Sequence, residues 1–207
     1  MTFTRILLGS FLFLFLCTCA ASYKNINPSS LNYSYQPESN GLVFSYQAGV
    51  LQDSGNKKFA KKEDRHNIRV VAIKITNNTG RDLTFAKDLQ LKSGVRVFQP
   101  LDPETTSSSI KQSPASYLLF LLLTPLKLYV GNGETGEVSE TPIGYVLGPG
   151  LAALNAAKAS SANNKFENEL SENDLTNRVI LNGETVYGLV SLSDYNYSNL
   201  TLELKNN

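Results

Sequence analysis

The chain has no tryptophan, one methionine, one histidine and two cysteines in 207 residues. Each shortage removes a class of chemistry. The one histidine, His66, has no second histidine and no neighbouring cysteine with which to hold a transition metal, so it reads as a surface residue. A Ser-His-Asp arrangement would have to use His66, and no Gly-x-Ser-x-Gly elbow presents a serine. Cys17 and Cys19 both lie at the start of the chain, so everything after Cys19 lacks an internal disulfide and depends on its core alone. Excess charge of one sign is missing too. Once Arg5 is set aside, the chain carries 18 basic and 18 acidic residues. A nucleic-acid footprint needs a sustained basic face, so no nucleic-acid partner is expected. The densest charge is Lys57, Lys58, Lys61, Lys62 and Arg65 mixed with Glu63 and Asp64. It reads as a solvated loop, with weak contact to anionic lipid as the alternative. Gly131 to Gly136 lacks the Gly-Lys-Ser/Thr ending of a phosphate loop. No catalytic residue, cofactor motif or metal set emerges, and a non-enzymatic protein is expected.

What the chain does have begins at Met1. A single positive charge, Arg5, precedes an apolar run of about 11 residues from Ile6 to Leu16, closed by Cys17-Thr18-Cys19-Ala20-Ala21. A basic start, a short apolar run and small residues make an export signal. The run falls well short of the roughly 20 residues of a spanning helix, which disfavours a retained anchor. A plain secreted protein cut near Ala20 is the other alternative.

Leu16-Cys17-Thr18-Cys19 resembles the lipobox of bacterial lipoproteins, in which Leu stands three residues before the modified cysteine. It departs from that pattern in having Cys17 and Thr18 where small residues such as Ala, Ser or Gly are usual. The resemblance implies that Cys19 is diacylated and becomes the mature N-terminus. The acyl chains would hold the protein on a membrane. Ala20 is not the Asp of an inner-membrane retention signal, so the resemblance points to the outer membrane. Membrane lipid is thus the expected partner, with an envelope protein as a further one.

Residues 20–40, rich in Ser, Asn, Tyr and Pro, read as a flexible tether. Strands are expected at Gly41–Leu51 and Asn67–Thr76, the latter with Val71, Ile73 and Ile75 on one buried face. Further strands are expected at Leu83–Phe85, in a hairpin of Leu89–Leu91 with Val95–Phe98, at Val179–Leu181, at Thr185–Leu192 and at Leu200–Leu204. Asp102-Pro103-Glu104 starts a polar helix, with Asp as cap and Pro in the first turn. Two apolar blocks follow, Tyr117–Val130 and Ile143–Ala157, and an Ala-rich helix runs on through Phe166 and Leu170, which share a face. Leu118–Leu123 of the first block is apolar all round and must be covered. Gly144 and Gly148 offer the small surface on which helices approach closely. The two blocks are therefore expected to pair and to cover one side of the β part, with insertion into the bilayer as the alternative. Glu167, Glu169, Glu172 and Asp174 read as a solvated helix end rather than a calcium site. Tyr187, Tyr195 and Tyr197 read as packing rather than a sugar platform. Asn32, Asn77, Asn196 and Asn199 begin Asn-x-Ser/Thr triplets by composition alone.

Two segments, Ile68–Phe85 and Leu181–Leu204, resemble the immunoglobulin-like, telokin-like β-sandwich found in many bacterial lipoproteins. Gly183 and Gly188 match glycines of that family, the first opening a strand and the second letting strands approach closely. Pro142-Ile143-Gly144 with Ala159–Leu170 is similar to envelope lipoproteins of the Bacteroides type, for which no catalytic residues are known. The expected fold is mainly β, made α+β by a helical insertion. It is an immunoglobulin-like β-sandwich over 41–207, interrupted by a helical, apolar insertion at 102–176, behind a signal peptide at 1–19 and the 20–40 tether. The expected function is that of a membrane-anchored envelope lipoprotein serving as an interaction or structural module. The alternative is a membrane-inserting or transport-accessory protein using 117–130 and 143–157.

Overall fold

The computed structural model describes residues 19–33, 38–131, 135–193 and 199–205. Its elements run, in chain order, β1 (Leu42–Ala48), α1 (Val50–Asp53), α2 (Lys57–His66), β2 (Ile68–Asn77), β3 (Leu83–Thr84), α3 (Phe85–Asp88), β4 (Leu89–Ser93), β5 (Arg96–Phe98) and α4 (Pro103–Ile110). A 3-10 helix (Pro114–Leu123), β6 (Leu128–Gly131), β7 (Val138–Thr141), α5 (Gly144–Glu172), β8 (Val179–Ile180), β9 (Thr185–Ser193) and β10 (Thr201–Leu204) follow. Helix takes 39% and strand 30%, so the fold is the expected mixed α+β, with more helix than a mainly β chain would carry. The chain divides into two compact units, one of residues 1–22 with 112–162, the other of 23–111 with 163–207.

In the larger unit β2 is the central strand of an antiparallel sheet ordered β1-β2-β9. Its β-branched residues suit a strand buried on both faces. Val71, Ile73 and Ile75 are fully buried in one core, as their alternation predicts. The same core takes Leu89 and Leu91 of β4, Phe98 of β5 and Leu202 of β10, from a second antiparallel sheet ordered β10-β4-β5. Two sheets therefore share one apolar interior. Val70 and Ala72, on the other side of β2, are equally buried, because α1 and α2 pack against that strand.

The charged stretch 57–65, expected as a loop, forms α2. Phe59, Ala60 and Glu63 are its buried residues, a spacing that lies on one helical face. The lysines occupy the rest of the surface, and their number masked the period. Asp102 caps α4 as expected, its carboxylate accepting the Thr105 N–H at 2.8 Å. However, α4 packs against α2 in the larger unit, so the stretch that separates is 112–162 rather than 102–176.

Asn77, buried at the end of β2, holds the following turn. Its Nδ2 donates to the Arg81 and Ile180 carbonyls at 2.8 and 3.0 Å, and its Oδ1 accepts from the Thr79 N–H and hydroxyl. Gly183 turns the chain into β9 with φ +82°, where a side chain would be strained. A Cβ on Gly188 would overlap the Leu175 side chain and lie 2.7 Å from the Asn173 carbonyl oxygen. The close neighbour at Gly188 is thus the loop after α5, not another strand.

Candidate functional site

The smaller unit is organised by the 3-10 helix. A 3-10 helix has three residues per turn, so every third side chain eclipses the one before. Tyr117, Phe120 and Leu123 are accordingly the buried residues, and the Tyr117 and Phe120 rings stack with centroids 6.5 Å apart. They pack with Ala20, Ala152 and Ala159. The two apolar blocks do meet through the small residues of α5. A Cβ on Gly144 would overlap the Leu123 and Thr124 carbonyl oxygens, and one on Gly148 would lie 2.7 Å from the Thr124 hydroxyl.

That pairing covers one third of the 3-10 helix and no more. Leu118, Leu119, Leu121 and Leu122 remain 55%, 61%, 44% and 69% exposed, where an all-round apolar block was expected to be covered. Strands β6 and β7 expose all their residues, Tyr129, Val130 and Val138 among them. Apart from Val95, Val97, Val179 and Leu181, every exposed large hydrophobic residue among those described lies between Leu118 and Leu154. No described helix is long and apolar enough to cross a membrane.

Cys19, the first described residue of this unit, is exposed. The next residues are fixed by buried amides. Asn155 of α5 accepts the Ala20 N–H at 2.7 Å through Oδ1, while its Nδ2 donates to the Leu151 carbonyl. Gln112 accepts the Ala21 N–H at 3.1 Å and donates to the Ala21 carbonyl at 2.7 Å, as a neighbouring strand would. Residues 1–18, which carry the expected leader, lie outside the described residues.

Within the larger unit, the described part of the expected tether is packed rather than loose. Asn56 accepts the Lys24 N–H at 2.8 Å and donates to its carbonyl at 2.7 Å. Glu169 accepts the Ile26 N–H at 2.7 Å. Tyr23 and Ile26 are 5% and 4% exposed, and the Tyr23 ring contacts Phe59 and Phe166 at centroid distances of 5.3 and 5.4 Å. Buried backbone groups must find partners, and here side-chain amides and a carboxylate supply them in place of a sheet. The buried Tyr23 hydroxyl faces the buried Glu169 carboxylate. Burial, with the Glu169 and Glu63 carboxylates near, pushes the Tyr23 phenol up.

Beside this lies one buried ion pair. Glu63 accepts the Val70 N–H at 2.6 Å and meets Arg69 at 3.4 Å, and Arg69 also reaches Asp64 at 2.7 Å. Burial of Glu63 raises its carboxyl to about 7, against the opposing pull of the Val70 N–H and Arg69.

The remaining candidates are dispersed. His66 is exposed at the end of α2. Glu167 and Glu172 are exposed, Glu169 is buried on Ile26, and Asp174 accepts from Thr176, so the four acids form no cluster. No group of three His, Cys, Asp or Glu that could hold a metal occurs among the described residues. Tyr187 packs on Tyr33, at 5.9 Å between centroids, and under Lys74. Tyr195 and Tyr197 lie outside the described residues. A cleft of about 270 Å³ in the larger unit is floored by Phe85, Leu91 and Phe98. Its one titratable side chain, Lys205, is bonded to the Ala86 carbonyl. The groups gathered here bind backbone and bury apolar surface.

No protein-family model, curated protein or solved structure matches the chain. The residues that sequence reasoning missed are Asn56, Gln112, Asn155 and the buried role of Glu169. Asn155 alone gave a signal, as a single polar residue inside Leu151–Ala157.

Proposed function

We propose that the chain is a lipid-anchored, non-enzymatic envelope lipoprotein, acylated at Cys19 and held at the outer membrane. The observation that carries this reading is the coincidence at Cys19. The residue stands three after Leu16, is exposed, and directly precedes a backbone that Asn155 and Gln112 fix in place. Lipid on Cys19 would thus hang from a folded unit, with no loose tether between. In this reading the larger unit is an immunoglobulin-like sandwich that serves as the interaction or structural module. Two antiparallel three-stranded sheets around a common core support that assignment.

Metabolic labelling with a fatty-acid analogue tests it. The wild type and Cys17→Ala should incorporate label, and Cys19→Ala should lose it entirely. Loss of label in Cys17→Ala alone would move the anchor and refute the assignment.

A further inference from the structure

We infer that the exposed apolar face of the smaller unit seats in the bilayer surface, so that the protein rests on the membrane through side chains as well as through lipid. The inference rests on the lipid-anchor reading for the nearness of a membrane, and on four features of the face itself.

The first is its size and continuity. Monomeric proteins rarely leave large contiguous apolar surface exposed, and such surface marks a partner or a membrane. Here Leu118, Leu119, Leu121 and Leu122 stand out from a ten-residue 3-10 helix whose third-residue stripe is already used inside. The second is charge. No charged residue occurs between Lys111 and Lys127, or between Glu140 and Lys158. Lys127 and Glu140, which border the two runs, neutralise each other as an ion pair. A protein partner's site would gain specificity from charge at its rim, whereas hydrocarbon asks only for its absence. The third is the kind of aromatic residue exposed. Tyr129 and Tyr145, at 60% and 68% exposure, combine an apolar ring with a hydroxyl, as residues at headgroup level do.

The fourth is the place of Cys19. Cys19 belongs to this unit. An acyl group on Cys19 therefore starts from the unit that carries the leucines. Depth follows from geometry. Ten residues at roughly 2.0 Å rise make about 20 Å, less than the ~30 Å hydrocarbon core. The face must lie in the surface of one leaflet and cannot span.

The test uses residues 19–207 with Cys19→Ser, so that no acyl chain contributes. The probe is flotation with vesicles of equal parts phosphatidylethanolamine and phosphatidylglycerol. The protein should float with the vesicles and stay bound at about 1 M salt, where charge attraction is screened. Leu118→Asp with Leu122→Asp should weaken binding roughly a hundredfold, because both leucines leave the lipid. Val146→Asp, a single change at a 77% exposed site, should weaken it in the same direction. Leu181→Asp, an exposed site in the larger unit, should bind like the parent. Unchanged thermal midpoints would show that the variants fold. Three results overturn the inference. One is a parent that does not float. Another is release by salt, which would assign binding to the lysines of α2. The third is a parent that forms a dimer, dissolved by Leu118→Asp with Leu122→Asp, instead of floating. Because Cys19 is absent from this assay, failure here leaves the acylation reading standing. Conversely, the double leucine variant with Cys19 restored should still take up fatty-acid label in cells.

Discussion

Phe59→Ala should destabilise the protein by about 3–5 kcal/mol, the usual cost of emptying a buried aromatic site. Phe59 is fully buried on α2, in a helix that otherwise offers mostly charge to solvent. Its ring lies 4.9 Å from Phe166 of α5 and 5.3 Å from Tyr23. Three pieces of chain far apart in sequence thus meet at one ring. The loss should exceed the area term alone, since aromatic pairs contribute beyond their burial. Tyr23 stands at the centre of the segment that Asn56 and Glu169 hold, so the same change should loosen residues 23–27. Thermal melting would record the loss of stability. Amide exchange at Lys24 and Ile26, whose N–H groups are bonded to Asn56 and Glu169, would record the loosening. A midpoint within the error of the wild type would mean that α2 is not packed on this core.

Stability should fall as pH rises from 5 to 8, and Glu63→Gln should remove much of that slope. Burial raises the Glu63 carboxyl from 4.5 to about 7. The folded protein therefore holds this proton more tightly than the unfolded chain does. The resulting stabilisation is fully present below 4.5, declines as pH passes from 4.5 to about 7, and is gone above that. The difference amounts to about 3 kcal/mol. Other groups act elsewhere on the scale. The Thr84 N–H holds the Asp88 carboxyl down, Thr105 does so for Asp102, and the Leu181 N–H for Glu184. Their contributions are present above the ordinary carboxylate range and are lost in acid, below the window of this experiment. Glutamine keeps an oxygen for the Val70 N–H without the charge, so Glu63→Gln should equal or exceed the wild type at pH 8. A Glu63→Gln variant that is less stable at pH 8 with an unchanged slope would show instead that Glu63 is ionised throughout and stabilised by Arg69.

The strands of the larger unit were legible because strands announce themselves by alternation, whereas β6 and β7 were read as an apolar block and a loop. Val71, Ile73 and Ile75 fixed the buried face of β2, and Leu200 to Leu204 fixed the last strand. Asp102 and Pro103 likewise marked the start of α4. Three things were hidden, each for a physical reason. In α2 only Phe59 and Ala60 are apolar, too few to reveal a helical period among the lysines, and the buried Glu63 looked like one more surface charge. In Tyr117–Leu123 an all-apolar sequence has no period at all, so it could not tell a 3-10 helix from any other covered helix. The segment after Cys19 is polar in composition, and composition reads as loose chain. What orders its described part is partners distant in sequence, Asn155 and Gln112 in one unit, Asn56 and Glu169 in the other. Such contacts have no local signature. Gly144 and Gly148 show the opposite case, where spacing alone foretold the close approach that the backbone makes.

The central claim, anchorage through Cys19, is tested most directly by the intact mass of the protein recovered from cell membranes. A chain starting at Cys19 and carrying a diacylglycerol mass, with or without a third acyl chain on its amine, is the predicted result. A chain starting at Ala21 or Ser22 without lipid, or one that keeps Met1 to Thr18, would contradict it.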